Sequence, residues 1–216
     1  MVCLGMHGSR AATFSTSDAD GRAAGATLLP SPSKMSAAFT LKTLRQWAAK
    51  GWLAVTSAIV YLVSQVVIAA QLEHLGALRV FELQVTGFRA ADYLQAFSAW
   101  QKQGVMPFYR SHLIFDDIHW IWYSVMLTSL MALAMNAADS PPKRNPLLLL
   151  PLVAGLCDAL ENGLQKVFLS DPTFATVVDP LPLLSTIASI VKWSLVALSL
   201  LTIPATWLAA RRRRAS

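Results

Sequence analysis

Apolar residues are collected into four long blocks along the chain, and each block predicts a helix that crosses a membrane. The predicted helices cover about residues 52–72, 113–136, 146–169 and 181–210. Each block holds the roughly 20 residues that a bilayer core requires at about 1.5 Å of rise per residue. The pattern therefore predicts an all-α fold, an integral membrane four-helix bundle that occupies residues 35–210.

The first block carries few polar side chains and indicates a structural anchor. Gln65 and Gln71 are its only amides, and Trp52 and Tyr61 are its only aromatic residues. The alternative is that Gln65 lines a polar interior of the bundle.

The longest polar connection, residues 73–111, contains a further helical pattern. Within residues 89–103, apolar side chains recur at the spacing of one helix face; they are Ala90, Tyr93, Leu94, Phe97 and Trp100. Gly104 ends this amphipathic helix, and Pro107 is expected to delay the next one. An extramembrane helix of this kind rests on the membrane surface or covers the mouth of a bundle, and we favour the membrane surface.

The two ends of the chain differ from the apolar blocks. Residues 1–34 are rich in Gly, Ala, Ser and Thr and lack an apolar run of signal-peptide length, which predicts a disordered segment. A transit peptide is a weaker alternative because Asp18 and Asp20 are acidic. We favour Met35 as the native start, with the preceding residues a gene-model extension. Residues 211–216 form a basic tail.

Composition and charge agree with a membrane protein. Of 216 residues, 55% are hydrophobic and only 14% charged, and the mean hydropathy is +0.47. The net charge of +6 could indicate nucleic-acid binding, but the basic residues mostly flank the apolar blocks. Four of them are the run from Arg211 to Arg214. This pattern predicts that both termini of an inner-membrane-type protein lie in the cytoplasm, with the lipid bilayer as partner and no nucleic acid.

Charged and polar side chains interrupt the third block. Asp158, Glu161 and Asn162 lie within little more than one helical turn. Asp158 is roughly 18 Å from the cytoplasmic end at about 1.5 Å per residue, close to the middle of a bilayer. An ionised carboxylate in hydrocarbon costs several kcal/mol. We therefore expect at least one of these acids to face a polar interior rather than lipid.

The fourth block carries a lysine at a matching depth. Lys192 lies about eleven residues from the outer end of its helix, level with Asp158 and Glu161. This arrangement predicts a buried ion pair between the third and fourth helices. The alternative is that residues 193–209 span the membrane alone and Lys192 extends outward to the interface.

The second predicted helix combines an acid, an imidazole and a phenol. Asp116, His119 and Tyr123 are spaced i, i+3 and i+7 and share one face, whereas Asp117 points elsewhere. This face could be functional. Alternatively, residues 118–135 nearly span a bilayer by themselves, which would leave both aspartates at the water boundary near the helix N-terminus.

Two segments resemble a known group of proteins. The run WQKQGVMPFYRSHLIFDDIHWIWY, followed later by GLCDALEN, is similar to a family of small bacterial four-helix integral membrane proteins with an Asp-x-x-Glu-Asn motif in the third helix. The resemblance covers residues 52–208. It implies the four-helix architecture and no particular reaction. It also implies that five positions are important, namely Asp116, Tyr123, Asp158, Glu161 and Asn162. His119 and Trp120 stand where the group carries apolar residues, which places a role for His119 in question.

Common catalytic and cofactor motifs are missing from the sequence. It contains no Gly-rich phosphate loop, no G-x-S-x-G, no H-E-x-x-H and no CxxC. The sequence therefore assigns no cofactor. A metal site for zinc or manganese could be assembled from carboxylates and an imidazole, although paired histidines are lacking; its candidates are Asp116, His119, Asp158 and Glu161.

Two other uses of the intramembrane acids stay open. A carboxylate could serve proton transfer or coupled transport, and a transporter of only four helices favours a homodimer or another membrane partner. A polar network could instead fix helix register, at about 1 kcal/mol per interhelical bond. We favour a binding, transport or scaffold role over a metal-dependent enzyme. The predicted polar intramembrane site consists of Asp116, Tyr123, Asp158, Glu161, Asn162 and Lys192.

Overall fold

The computed structural model of the chain describes residues 32–215. Most of the segment predicted to be disordered, residues 1–31, lies outside the described residues. The described chain is helical and contains no strand. Its elements are α1 (Pro32–Ala48), α2 (Gly51–Glu73), α3 (Ala77–Thr86), α4 (Ala90–Lys102), α5 (Met106–Ala137), a 3₁₀ helix (Pro142–Leu148), α6 (Leu149–Phe168) and α7 (Leu181–Ala215).

Four helical stretches are long and apolar enough to cross a membrane. They are Gly51–Glu73, Met106–Ala137, Pro142–Phe168 and Leu181–Arg213. The prediction of an all-α chain with four apolar helices is thus confirmed, and it is consistent with a multi-pass membrane protein.

Helix boundaries differ from the predictions mainly at prolines. α5 begins at Met106 rather than near residue 113, with Pro107 in its first turn. A first-turn proline needs no hydrogen-bond partner for its nitrogen, so it starts this helix instead of delaying it. The stretch before α6 forms a 3₁₀ helix that contains Pro146. α7 continues to Ala215, beyond the predicted end at residue 210.

α5 is the central helix of the described chain, since it packs against α2, α6 and α7. α6 packs in turn against α7. At Gly155 the α5 and α6 backbones approach closely, because a Cβ there would lie 3.1 Å from the Trp120 ring and 3.2 Å from Ser124 Cβ. Within the described residues, α2 packs on α5 without packing closely on α7, which leaves space between these two helices.

The connection between α2 and α5 contains two helices instead of the one predicted. α3 was not predicted, and it packs against α7, where the rings of Phe81 and Trp193 meet edge to face with centroids 5.5 Å apart. α4 agrees with the predicted amphipathic helix, and Gly104 follows it with a φ of +72°. This left-handed conformation favours glycine just after a helix end.

The apolar face of α4 is covered by the protein itself. Tyr93, Phe97 and Trp100 are buried. The Tyr93 ring contacts Phe168 at the end of α6, and the Phe97 ring contacts Phe174 just after it. This face therefore packs against residues at the end of α6 and just after it. The placement of α4 on a membrane surface or over the mouth of a bundle stays a prediction.

The opposite end of the assembly collects the two ends of the described chain. Arg45 of α1 donates hydrogen bonds to Asn136 Oδ1 at 2.7 Å, Ser140 O at 2.8 Å and Asn145 Oδ1 at 3.2 Å. Arg213 of α7 donates to Ala138 O at 3.3 Å. The first helix, the last helix and the connection from α5 to α6 therefore lie at the same end.

Candidate functional site

Lys192 of α7 lies between two carboxylates of α6. Its Nζ is 2.9 Å from Asp158 Oδ1 and 2.5 Å from Glu161 Oε2. All three residues are buried. The ion pair expected between the third and fourth apolar helices is present, and the alternative in which Lys192 extends outward is wrong.

The spacing of residues on α6 explains this arrangement. Its polar side chains fall at i, i+3, i+4 and i+7 and share one buried stripe; they are Asp158, Glu161, Asn162 and Gln165. Leu156 and Leu160 are exposed on the other side of the helix. Polar residues inside and apolar residues outside are the order expected in a lipid environment.

Asp116 of α5 joins this group of charges. It is partly buried and close enough to Asp158, Glu161 and Lys192 for electrostatic interaction. Within residues 32–215 it forms no ion pair of its own. If all are ionised, three carboxylates face one ammonium, and the group has a formal charge of −2.

Several of these side chains open into a cavity of about 290 Å³ enclosed by α2, α3, α5, α6 and α7. Its polar wall consists of Gln65, Gln84, His112, Asp116, His119, Tyr123, Asp158 and Lys192. The rest of the wall is apolar or aromatic and includes Tyr61, Phe81 and Trp193. Mostly apolar walls with a few polar groups are typical of sites for small ligands.

Some buried polar atoms around the cavity have no hydrogen-bond partner in the described part of the chain. They include Tyr123 Oη, Glu161 Oε1 and Asn162 Nδ2. A buried polar atom without a partner costs about 1–3 kcal/mol. Such atoms are rare in folded proteins, and each calls for a ligand, a water molecule or a functional reason.

The predicted metal candidates are not arranged as a metal site. His119 Nδ1 shares a hydrogen bond with Ser64 Oγ of α2 at 2.7 Å, and its ring centroid lies 4.9 Å from that of Tyr61. Among the residues that the structure describes, no three His, Cys, Asp or Glu side chains come together in a group that could hold a metal ion. His119 therefore serves the contact between α2 and α5.

Sequence reasoning missed part of the cavity wall. His112 precedes Asp116 by one turn and lines the same cavity. The predicted second helix began near residue 113 and therefore left His112 out. A helix predicted to begin before Pro107 would have placed His112 on the face of Asp116. Gln65 was considered mainly as part of an anchor helix, yet it also lines the cavity. Phe81 could not be assigned to the cavity from the sequence, because the helix that carries it, α3, was not predicted.

A second polar group lies one turn further along α6, at the end covered by α4. Gln165 Oε1 accepts a hydrogen bond from Tyr109 Oη at 2.9 Å. Gln165 Nε2 donates to Ser185 Oγ at 3.0 Å and to Tyr93 Oη at 3.2 Å. Burial raises the pKa of the Tyr93 phenol. We call this group, Tyr93, Tyr109, Gln165 and Ser185, the outer network.

A further charged pair lies outside the cavity. Lys166 of α6 forms an ion pair with Asp117 of α5, and both side chains are partly exposed to the surroundings of the protein. This pair agrees with the expectation that Asp117 points away from the Asp116 face.

No protein-family model matches the chain, and no curated protein or solved structure shows significant similarity to it. The resemblance to small bacterial four-helix membrane proteins therefore stays a prediction.

Proposed function

We propose that this protein is a four-helix bundle embedded in a membrane and that it binds a small ligand at the acid and lysine site inside the bundle, in a binding or transport role. The apolar side chains on the outer faces support the embedding. Examples are Leu62 and Val66 of α2 and Leu201 of α7, which are 59%, 70% and 69% exposed. An apolar exposed surface of this extent is the surface that lipid covers.

The proposal includes an orientation. The end that holds Arg45, the connection with Lys143 and Arg144, and Arg213 is the basic end, which corresponds to the cytoplasm. α3 and α4 then lie at the non-cytoplasmic end, with α4 outside the bilayer. A homodimer, as expected for a transporter of four helices, belongs to the same proposal.

The cavity is the single observation that carries the binding role. A network that only fixed helix register would be closed and fully hydrogen-bonded. Here Asp116, Asp158 and Lys192 open into a space of about 290 Å³, and Tyr123 Oη is buried without a hydrogen bond of normal geometry to any described residue. Because the acids and His119 are not arranged as a metal site, we favour binding or transport over metal-dependent catalysis.

The test is whether the cavity is a polar space inside the bilayer. We would place single cysteines at Gln65, which lines the cavity, and at the neighbouring, lipid-facing Val66, in a background with Cys3→Ser and Cys157→Ser. The protein would be reconstituted in lipid vesicles and treated with methyl methanethiosulfonate, a small neutral reagent that reacts with thiolates. A thiol ionises only in a polar environment.

We expect Gln65→Cys to react much faster than Val66→Cys. Equal, slow reaction at both positions would show that no polar space exists there and would contradict the proposed function. The neutral reagent keeps this result independent of the charge of the ligand.

A further inference from the structure

We propose that the ligand of this cavity is a small amphiphilic organic cation, whose charged head lies at Asp116 and whose apolar body lies between the aromatic side chains. This inference rests on the proposed function and names the class of ligand. It is argued from the charge of the site, the chemistry of its wall and the way the cavity is enclosed.

The balance of charge favours a cation. Lys192 contacts both Asp158 and Glu161, so its ammonium is already shared between two carboxylates. Asp116 adds a third carboxylate to the same cavity and has no ion-pair partner within residues 32–215. A low-dielectric site with surplus negative charge repels anions and is stabilised by protons or by a positively charged ligand.

The wall favours an organic cation over a bare metal ion. Tyr61, Phe81 and Trp193 line the cavity together with aliphatic side chains. Aromatic faces attract organic ammonium groups, especially where water is excluded. A cavity of about 290 Å³ is at the lower end of the usual range for ligand sites, about 300–1,000 Å³, so the ligand is small.

The enclosure favours a ligand that partitions into the bilayer. On one side of the cavity, the Phe81 ring of α3 contacts the Trp193 ring of α7. The space between α2 and α7 faces outward, where Phe81 and Trp193 are 44% and 42% exposed. An amphiphile dissolved in the lipid could reach Asp116 between these helices, whereas a fully polar ion could not.

The experiment measures binding to the full chain in lipid nanodiscs by isothermal titration calorimetry, with empty nanodiscs subtracted. The probes are benzyltrimethylammonium, its neutral isostere neopentylbenzene and the anion 3-phenylpropionate. The variants are Asp116→Asn and, as a matched control on the next residue, Asp117→Asn, whose carboxylate pairs with Lys166 outside the cavity. Size-exclusion chromatography and thermal unfolding confirm that each variant is folded.

We expect the cation to bind saturably and the other two probes to bind at least about tenfold more weakly, since each loses the charge-assisted contact. Asp116→Asn should weaken cation binding by about tenfold or more, and Asp117→Asn should leave it unchanged. Gln65→Glu adds a carboxylate at an exposed part of the wall and should strengthen binding. It tests the same inference if Asp116→Asn fails to fold.

Equal binding of neopentylbenzene, or unchanged cation binding in Asp116→Asn, would overturn the cation inference and leave a ligand site of another class. Failure of all three probes to bind while Gln65→Cys reacts with the thiol reagent would also overturn it, because the polar space would then hold protons or water. An unreactive Gln65→Cys would overturn the proposed function itself.

Discussion

The acid and lysine site and the outer network both join polar side chains of α5, α6 and α7, and the outer network also includes Tyr93 of α4. The two groups differ in how well these side chains are paired. In the outer network, the amide of Gln165 contacts Tyr93, Tyr109 and Ser185. One turn away, Glu161 Oε1 has no partner in the described chain. The acid and lysine site opens into a cavity, and none of the four residues of the outer network lines that cavity.

This difference separates a structural role from a binding role. Paired polar groups inside a helix assembly stabilise one arrangement of the helices, and they need nothing further. Unpaired groups and surplus charge lower stability, so their presence indicates a second requirement beyond folding. Three predictions test whether the two groups really differ in this way.

The largest effect is expected from Lys192→Met. This change leaves Asp158 and Glu161 buried without their cation, which costs about 3–5 kcal/mol in the free energy of unfolding. The measurement is an unfolding titration with sodium dodecyl sulfate in mixed micelles. Adding Asp158→Asn and Glu161→Gln to Lys192→Met should restore most of the loss, since the two carboxylates that Lys192 neutralises are then uncharged amides.

Lys166→Met is the matched control for this prediction. It removes the lysine of the partly exposed pair with Asp117, and such pairs contribute about 0–1 kcal/mol. If both lysine variants lost the same free energy, Lys192 would not be the buried counter-charge of the site.

An intermediate effect is expected from a comparison of two tyrosines on α5. Tyr109→Phe removes the donor to Gln165 Oε1 and should cost about 1–3 kcal/mol because a buried acceptor loses its partner. Tyr123→Phe removes a hydroxyl that forms no hydrogen bond of normal geometry in the described chain, although Asp158 lies near it, so the loss of stability should be smaller than in Tyr109→Phe. The same unfolding titration measures both variants.

The two tyrosine variants should also differ in ligand binding. Tyr123 lines the cavity, so Tyr123→Phe should change the affinity for benzyltrimethylammonium while Tyr109→Phe leaves it unaltered. A larger loss of stability in Tyr123→Phe than in Tyr109→Phe would remove the distinction between the two groups.

The smallest effect is a dependence of stability on alkaline pH. Burial raises the pKa of Tyr93 above its usual value, which is about 10. As the pH rises, the phenol ionises in the unfolded chain before it ionises in the folded chain. Its contribution to the free energy of unfolding is therefore fully present below about pH 10 and decreases above that value. Tyr93→Phe should remove part of this decrease. Comparing unfolding midpoints of wild type and variant between about pH 9 and 11 isolates the effect from that of other groups, and parallel curves would contradict it.

Several features could be predicted because they depend on local pattern. The face of α4 that carries Tyr93, Phe97 and Trp100 was visible from its spacing, and so was the shared depth of Lys192 and Glu161. α3 was not visible, since its ten residues are too few and too mixed in polarity to stand out within a long connection. The early start of α5 was missed because a proline inside a helix usually breaks it. Pro107 lies in the first turn, where a proline is tolerated, and the sequence pattern did not show this position.

The sequence by itself determined that the chain is helical, that four of its helices are long and apolar, and that Lys192 lies level with Asp158 and Glu161. These properties follow from a constant rise per residue and from residue polarity. Only the tertiary structure decided that His119 turns to Ser64, that α2 and α7 leave a cavity, and that Asp116 opens into it. Such features depend on which helices pack together and at what distance, and side chains from five separate helices must meet before a cavity has a wall.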